Sequence, residues 1–161
     1  MFESIAQIVL VLFVINLGIA FGAGLYESRI VVPQWLVYSP FAGYSWNADA
    51  ARRADVGLKF WVFVTTLPLT LLTIASLIAV WWAPLDARNW WLGAIAATLV
   101  DRAMTFAYFI PTMIKLMQTD AFGQAEAVKR ARKWVRLGYV RQAATLAAWL
   151  MAMMAFRLMH Q

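Results

Sequence analysis

Asp101 and Arg102 are the only charged residues between positions 89 and 114, a stretch long and apolar enough to cross a bilayer. A charge near the centre of a membrane helix costs about 2.5–3.5 kcal/mol per residue on insertion scales. Residues kept at that cost serve a site or hold helices together. Spacing extends the observation, because Thr98, Asp101, Thr105, Tyr108 and Thr112 recur at intervals of three and four and therefore share one helical face. A carboxylate, a phenol and three hydroxyls in line are the components of a buried polar cavity or a proton relay. Asp101 would be its base or acceptor and Tyr108 its donor. The same residues suit a structural arrangement equally well, with Asp101 paired to Arg102 or another cation and the threonines bonded to their own i−4 carbonyls. Neighbouring helical residues point about 100° apart, so Arg102 is expected to face a different helix from Asp101.

Other apolar segments carry smaller sets. Asn16, Ala20, Ala23 and Glu27 fall on one side of the first segment, beside the small-xxx-small pair Gly18 and Gly22 and a third glycine, Gly24. Such pairs let helix backbones approach closely. Alternatively they leave room for a flat ligand, with Asn16 and Glu27 at its polar ends. Thr66, Thr70 and Thr73 share a face around Pro68, where they can satisfy backbone groups exposed by the proline. Trp134 and Arg141, seven residues apart, open the last apolar segment on similar faces. They read as an interfacial Trp with a snorkelling Arg.

The elements that must position these residues follow from composition. Of 161 residues, 63% are hydrophobic and 14% charged, against about 45–50% apolar in soluble domains. The expected fold class is all-α: one four-helix transmembrane bundle spanning residues 4–26, 60–85, 89–114 and 139–158. The uncharged first run exceeds the apolar core of a secretory leader and lacks a basic start, so it is expected to be retained. The net charge of +6 does not imply nucleic acid, because the basic residues cluster beside the apolar spans, as topology determinants do. The expected partners are the lipid bilayer and a lipophilic small molecule. Glycine-mediated packing also leaves a homo-oligomer open.

Eleven Lys and Arg lie in the two long connections, against Arg88 and Arg157 on the opposite side. The positive-inside rule then places both connections in the cytoplasm and both termini in the periplasm of an inner membrane. The doublets Trp81–Trp82 and Trp90–Trp91 bracket the short connection where an aromatic belt would lie. Residues 34–55, with Pro40, Phe41, Gly43, Tyr44 and Trp46, are expected to lie on the bundle mouth, with Asn47 capping a short helix. Residues 121–136 read as an amphipathic helix on the interface before the last span. The chain has no Cys, and its single His, His160, is penultimate. Thiolate metal sites, bis-His haem and His-rich copper or di-iron cages are thereby excluded within one chain. The eight methionines read as core or lipid contacts, and no metal or other cofactor is expected.

The segments GAGLYESRIVVPQW (residues 22–35), FWVFVTTLPLTLLT (60–73), YFIPTMIKL (108–116) and RKWVRLGYVRQAATLAAW (132–149) resemble the bacterial DUF1772 membrane proteins, a family grouped with the fungal anthrone oxygenases. The family's approximate Trp-x3-Asn-x2-Arg pattern falls on Trp134, Gly138 and Arg141, with Gly138 in place of the Asn and no His before Trp134. The resemblance implies a metal-independent oxygenase acting on a flat phenolic or quinone-like molecule. Asp101 would be the catalytic base and Tyr108 and Arg102 the donors that stabilise the oxyanion. Asn16, Glu27, Thr105, Trp134 and Arg141 would contact the ligand. A non-enzymatic lipid- or quinone-binding protein, or an accessory subunit of a membrane complex, is the alternative.

Overall fold

The computed structural model describes residues 2–118 and 121–160, and the terminal Met1 and Gln161 lie outside them. Three helical runs are long and apolar enough to cross a membrane: Phe2–Gln34, Gly57–Trp82 and Leu85–Leu116. Their α-helical parts are α1 (Phe2–Tyr26), α3 (Leu67–Ala79), α4 (Leu85–Met104) and α5 (Ile110–Leu116), and a short α2 (Ala48–Ala54) precedes the second run. A fourth long helix, α6 (Gln124–Leu158), packs mainly on α4 and α1.

Each apolar run is interrupted by a π-helical segment: Glu27–Val31, Gly57–Thr66 and Thr105–Phe109. Each ends two residues before a proline, Pro33, Pro68 or Pro111. Proline has no N–H to give and its ring crowds the carbonyl four residues back, and the wider π turn accommodates both defects. At Pro68 the affected carbonyl is that of Val64, and Asn16 Nδ2 donates to it at 2.9 Å. Thr70 and Thr73 donate to the carbonyls of Thr66 and Leu69, each at 2.6 Å.

Two features depart from the all-α expectation. Leu36–Ser39 (β1) and Gly43–Trp46 (β2) form an antiparallel hairpin with Leu36 opposite Trp46 and Ser39 opposite Gly43. Gly43 takes the left-handed conformation (φ +72°) that closes its three-residue loop. The hairpin covers the bundle mouth: Trp46 Nε1 donates to the Leu116 carbonyl at 2.8 Å, and Trp35 meets Trp46 edge-on at 6.3 Å between ring centroids. Asn47 caps α2 by accepting from the Ala50 N–H. Second, no interfacial helix stands apart from the last apolar segment, because α6 runs unbroken for 35 residues. No proline interrupts it, and Gly138, its one glycine, sits against the Phe109 ring.

The core divides in two. One cluster joins α1, α3, the first half of α4 and the second half of α6, around Phe13, Leu69 and Trp91. The other joins the hairpin, α2, α5 and the first half of α6, around Trp35, Trp46 and Trp134. The polar residues of the helix faces lie between them.

Candidate functional site

A cavity of about 250 Å3, lined by residues from all three π segments, opens in the bundle. Its walls include Glu27, Trp61, Thr65, Asp101, Arg102, Thr105, Phe109, Met113, Trp134, Arg141, Gln142 and Thr145. π-helix accounts for well under 1% of residues in soluble proteins, and isolated π turns are frequent at functional sites. Three of them bordering one cavity set this place apart from the rest of the bundle.

Asp101 is the hub. Its Oδ2 accepts from Arg102 Nε at 2.9 Å and from Nη2 at 2.5 Å, while Oδ1 accepts from the Thr145 hydroxyl at 3.3 Å and lies 4.0 Å from Arg141 Nε. Arg102 therefore does not turn towards another helix. Its long side chain folds back on its neighbour, because no other carboxylate is within ion-pair reach among the described residues. Asp101 thus pairs with Arg102 through Oδ2, while its Oδ1 shares the Thr145 hydroxyl with the Arg141 carbonyl, to which that hydroxyl donates at 3.0 Å. Thr105 donates to the Asp101 carbonyl at 2.8 Å and Thr98 to that of Ala94 at 2.8 Å. Both are buried, and only Thr105 lines the cavity.

Tyr108 does not continue the face. The π turn at Thr105–Phe109 inserts the equivalent of one extra residue, so the stripe runs Asp101, Thr105, Phe109, Met113 instead of Asp101, Thr105, Tyr108, Thr112. Tyr108 rotates onto the hairpin-side core, with the Lys133 ammonium 5.8 Å from its ring centroid. Phe109 takes its place as a hub for neighbouring side chains. Trp134 meets it edge-on at 5.5 Å and donates from Nε1 to its carbonyl at 3.2 Å, and the Arg141 guanidinium lies 4.2 Å over its ring. Trp134 and Arg141 are thus cavity residues, positioned about two turns apart on α6.

Glu27 is buried, lines the cavity, and accepts from Trp61 Nε1 through Oε1 at 2.8 Å. Its Oε2 has no hydrogen-bond partner among the described residues. Asn16 does not line the cavity; its Nδ2 donates to the Val64 carbonyl, and its buried Oδ1 has no partner among the described residues. The glycine pair is also reassigned. A side chain at Gly18 would meet the Trp149 indole and one at Gly24 would collide with the Gln142 amide, whereas Gly22 faces open space. The close approach of α1 to α6 thus runs through Gly18 and Gly24.

Trp61, Phe109, Gln142 and Thr145 are site residues that spacing arguments on single helices missed. The sequence did carry a signal for the last two, since Arg141, Gln142 and Thr145 put three polar side chains within one turn at the start of an apolar segment. Two buried polar atoms in the cavity wall, Arg102 Nη1 and Gln142 Oε1, lack a partner among the described residues. Asn16 Oδ1, Ser76 Oγ, Arg88 Nε and Trp91 Nε1, on residues away from the cavity, are likewise without a partner among the described residues. No family model, curated protein or solved structure matches the chain.

Proposed function

We propose that the protein is a four-span membrane protein whose cavity binds a lipophilic phenol or quinone-like molecule. The observation that carries this reading is a largely apolar cavity whose wall gathers a few charged and amide side chains, Glu27, Arg102, Arg141 and Gln142. A carbonyl or phenolate oxygen would accept from Arg102, and a hydroxyl would donate to Gln142. In this reading residues 139–158 form the fourth span. Asp101 lies about 24 Å along α4 from Leu85 at 1.5 Å per residue, and the hydrocarbon layer is about 30 Å thick. The cavity then belongs to the half of the bilayer nearer the basic connections, not to its midplane.

The resemblance to the anthrone oxygenase grouping supplies a reaction class. With Asp101 held by two arginines, Glu27 is the cavity carboxylate with an oxygen open to take a proton from an activated CH2. The resulting carbanion passes an electron to dioxygen and the two radicals combine as a hydroperoxide. Loss of water then leaves a ketone, so CH2 plus O2 gives C=O plus H2O. Arg102 and Arg141 would stabilise the enolate oxygen.

Native mass spectrometry of detergent-extracted protein should find a lipophilic molecule bound one per chain, and oxygen uptake with an anthrone should vanish in Glu27→Gln. A bound molecule with no oxygen uptake by the native protein would leave the non-enzymatic binder. That second reading is favoured by the engagement of Asp101. Protein free of any small molecule and inert to anthrones would overturn the proposal.

A further inference from the structure

The cavity is not closed on all sides. At the Pro84 connection the second and third apolar runs are joined tightly, and α3 packs on α4. Lower down, the π segment Gly57–Thr66 packs on α1, and the cavity lies between it and Thr105–Leu116. Residues of both runs therefore wall the cavity at this level. Leu58, Ile110 and Ile114 line the cavity and are also exposed on the outer surface, at 64%, 37% and 49%. They form an apolar rim on a face that a bilayer would cover.

The volume of about 250 Å3 falls just below the range of about 300–1,000 Å3 typical of pockets that enclose a whole drug-sized ligand. Arg102, Arg141, Gln142, Asp101 and Glu27 line the cavity from the first apolar run, α4 and α6, whereas Leu58, Ile110 and Ile114 on the exposed side are aliphatic, with Asp55 beside Leu58. We infer that the occupant is a membrane-resident amphiphile. Its compact hydroxyl- or carbonyl-bearing head sits against Arg102 and Gln142, and its long apolar chain leaves between Gly57–Thr66 and Thr105–Leu116 into the bilayer. This rests on the reading of the cavity as a ligand site and adds where the ligand comes from: the lipid phase, sideways, past the exposed Leu58, Ile110 and Ile114. A flat molecule wholly enclosed in the cavity would not need a rim of exposed Leu and Ile.

The test uses the full chain in phosphatidylcholine vesicles and two photoreactive probes. One is a long-chain alkylphenol with a diazirine halfway along its chain, and the other is a phenol without the chain that carries the diazirine on its ring. Cross-links from the long-chain probe should concentrate on Leu58, Ile110 and Ile114, and those from the short probe on cavity residues such as Val62 and Met113. Filling the gap with Leu58→Trp and Ile114→Trp, both lipid-facing and so tolerated by the fold, should weaken capture of the long-chain probe about tenfold, or 1.4 kcal/mol. Because Leu58 and Ile114 also line the cavity, the short probe serves as the internal comparison, and its capture should fall clearly less than that of the long-chain probe. Long-chain cross-links spread evenly over outward residues such as Ile8, Phe63 and Leu71, with the short probe still in the cavity, would overturn the lateral route and leave the site standing. Failure of both probes to label the cavity would overturn the site as well.

Discussion

Asp101 holds together residues that arrive from two helices. Arg102 comes from its own helix, and Arg141 and Thr145 come from α6. Removing one partner of a buried ion pair costs about 3–5 kcal/mol, because the remaining charge is left uncompensated. Asp101→Asn should therefore lower the melting temperature or yield in detergent, and Asp101→Asn with Arg102→Gln should recover part of the loss. A stable single variant would return Asp101 to consideration as a chemical group with no structural duty. At the same scale, Gly24→Leu should cost about 1–3 kcal/mol by overpacking against Gln142, while Gly22→Leu, which meets nothing, should leave thermal stability unchanged. Equal melting of the two variants would contradict the observed approach of α1 to α6.

At the scale of the element, the π turns decide which residues face the cavity. The polar content of the third apolar run was legible in the sequence, and so was the regular part of its stripe, Asp101 and Thr105. The continuation was not, because a period of 3.6 carries Tyr108 onto the face and a single extra residue carries Phe109 there instead. Pro33, Pro68 and Pro111 were the available warning, each inside an apolar run. A proline alone does not say whether the helix kinks, breaks or widens. The engagement of Asn16 with the Val64 carbonyl was hidden for the same reason, since it depends on which carbonyl the proline disturbs. The hairpin was unreadable for another reason: four-residue strands are too short to show alternation. Its aromatic and turn residues nevertheless marked the segment as a cover. Two consequences of the extra residue can be measured. Phe109→Ala should lose about 3–5 kcal/mol together with any bound ligand, whereas Tyr108→Phe should change neither. Deleting Ala107 removes the surplus residue and should be tolerated, with melting close to that of the native chain. Deleting Ala96, within regular helix, would rotate every downstream residue by about 100° and should abolish folding.

For the whole molecule, the open question of architecture is the fate of α6. Three runs qualify as spans by length and composition, and α6 carries Arg141, Arg136 and Lys133 in its inner half. Its second half nevertheless packs against α1 and α4 through Ala148, Ala152 and Ala155, all fully buried. Arg141 is held by Asp101 and lies over Phe109, so its charge does not oppose insertion as a free cation would. At 1.5 Å per residue, 35 residues extend about 52 Å, enough to cross about 30 Å of hydrocarbon and project the basic first turns beyond it. The chain has no Cys, so single cysteines report position without background. In intact spheroplasts, a membrane-impermeant thiol reagent should label Asp86→Cys, on the short connection, and spare Phe41→Cys, fully exposed at the hairpin tip, until the membrane is lysed. That contrast reads the orientation expected from the eleven basic residues in the long connections against two opposite. The decisive position is His160. If α6 crosses the bilayer, His160→Cys lies on the same side as Asp86→Cys and is labelled with it. If α6 only lies along the surface, three spans remain and His160→Cys is protected together with Phe41→Cys. Labelling of His160→Cys is the expected result, because a three-span arrangement would have to place the alanine face of α6 against α1 and α4 without entering the layer that surrounds them.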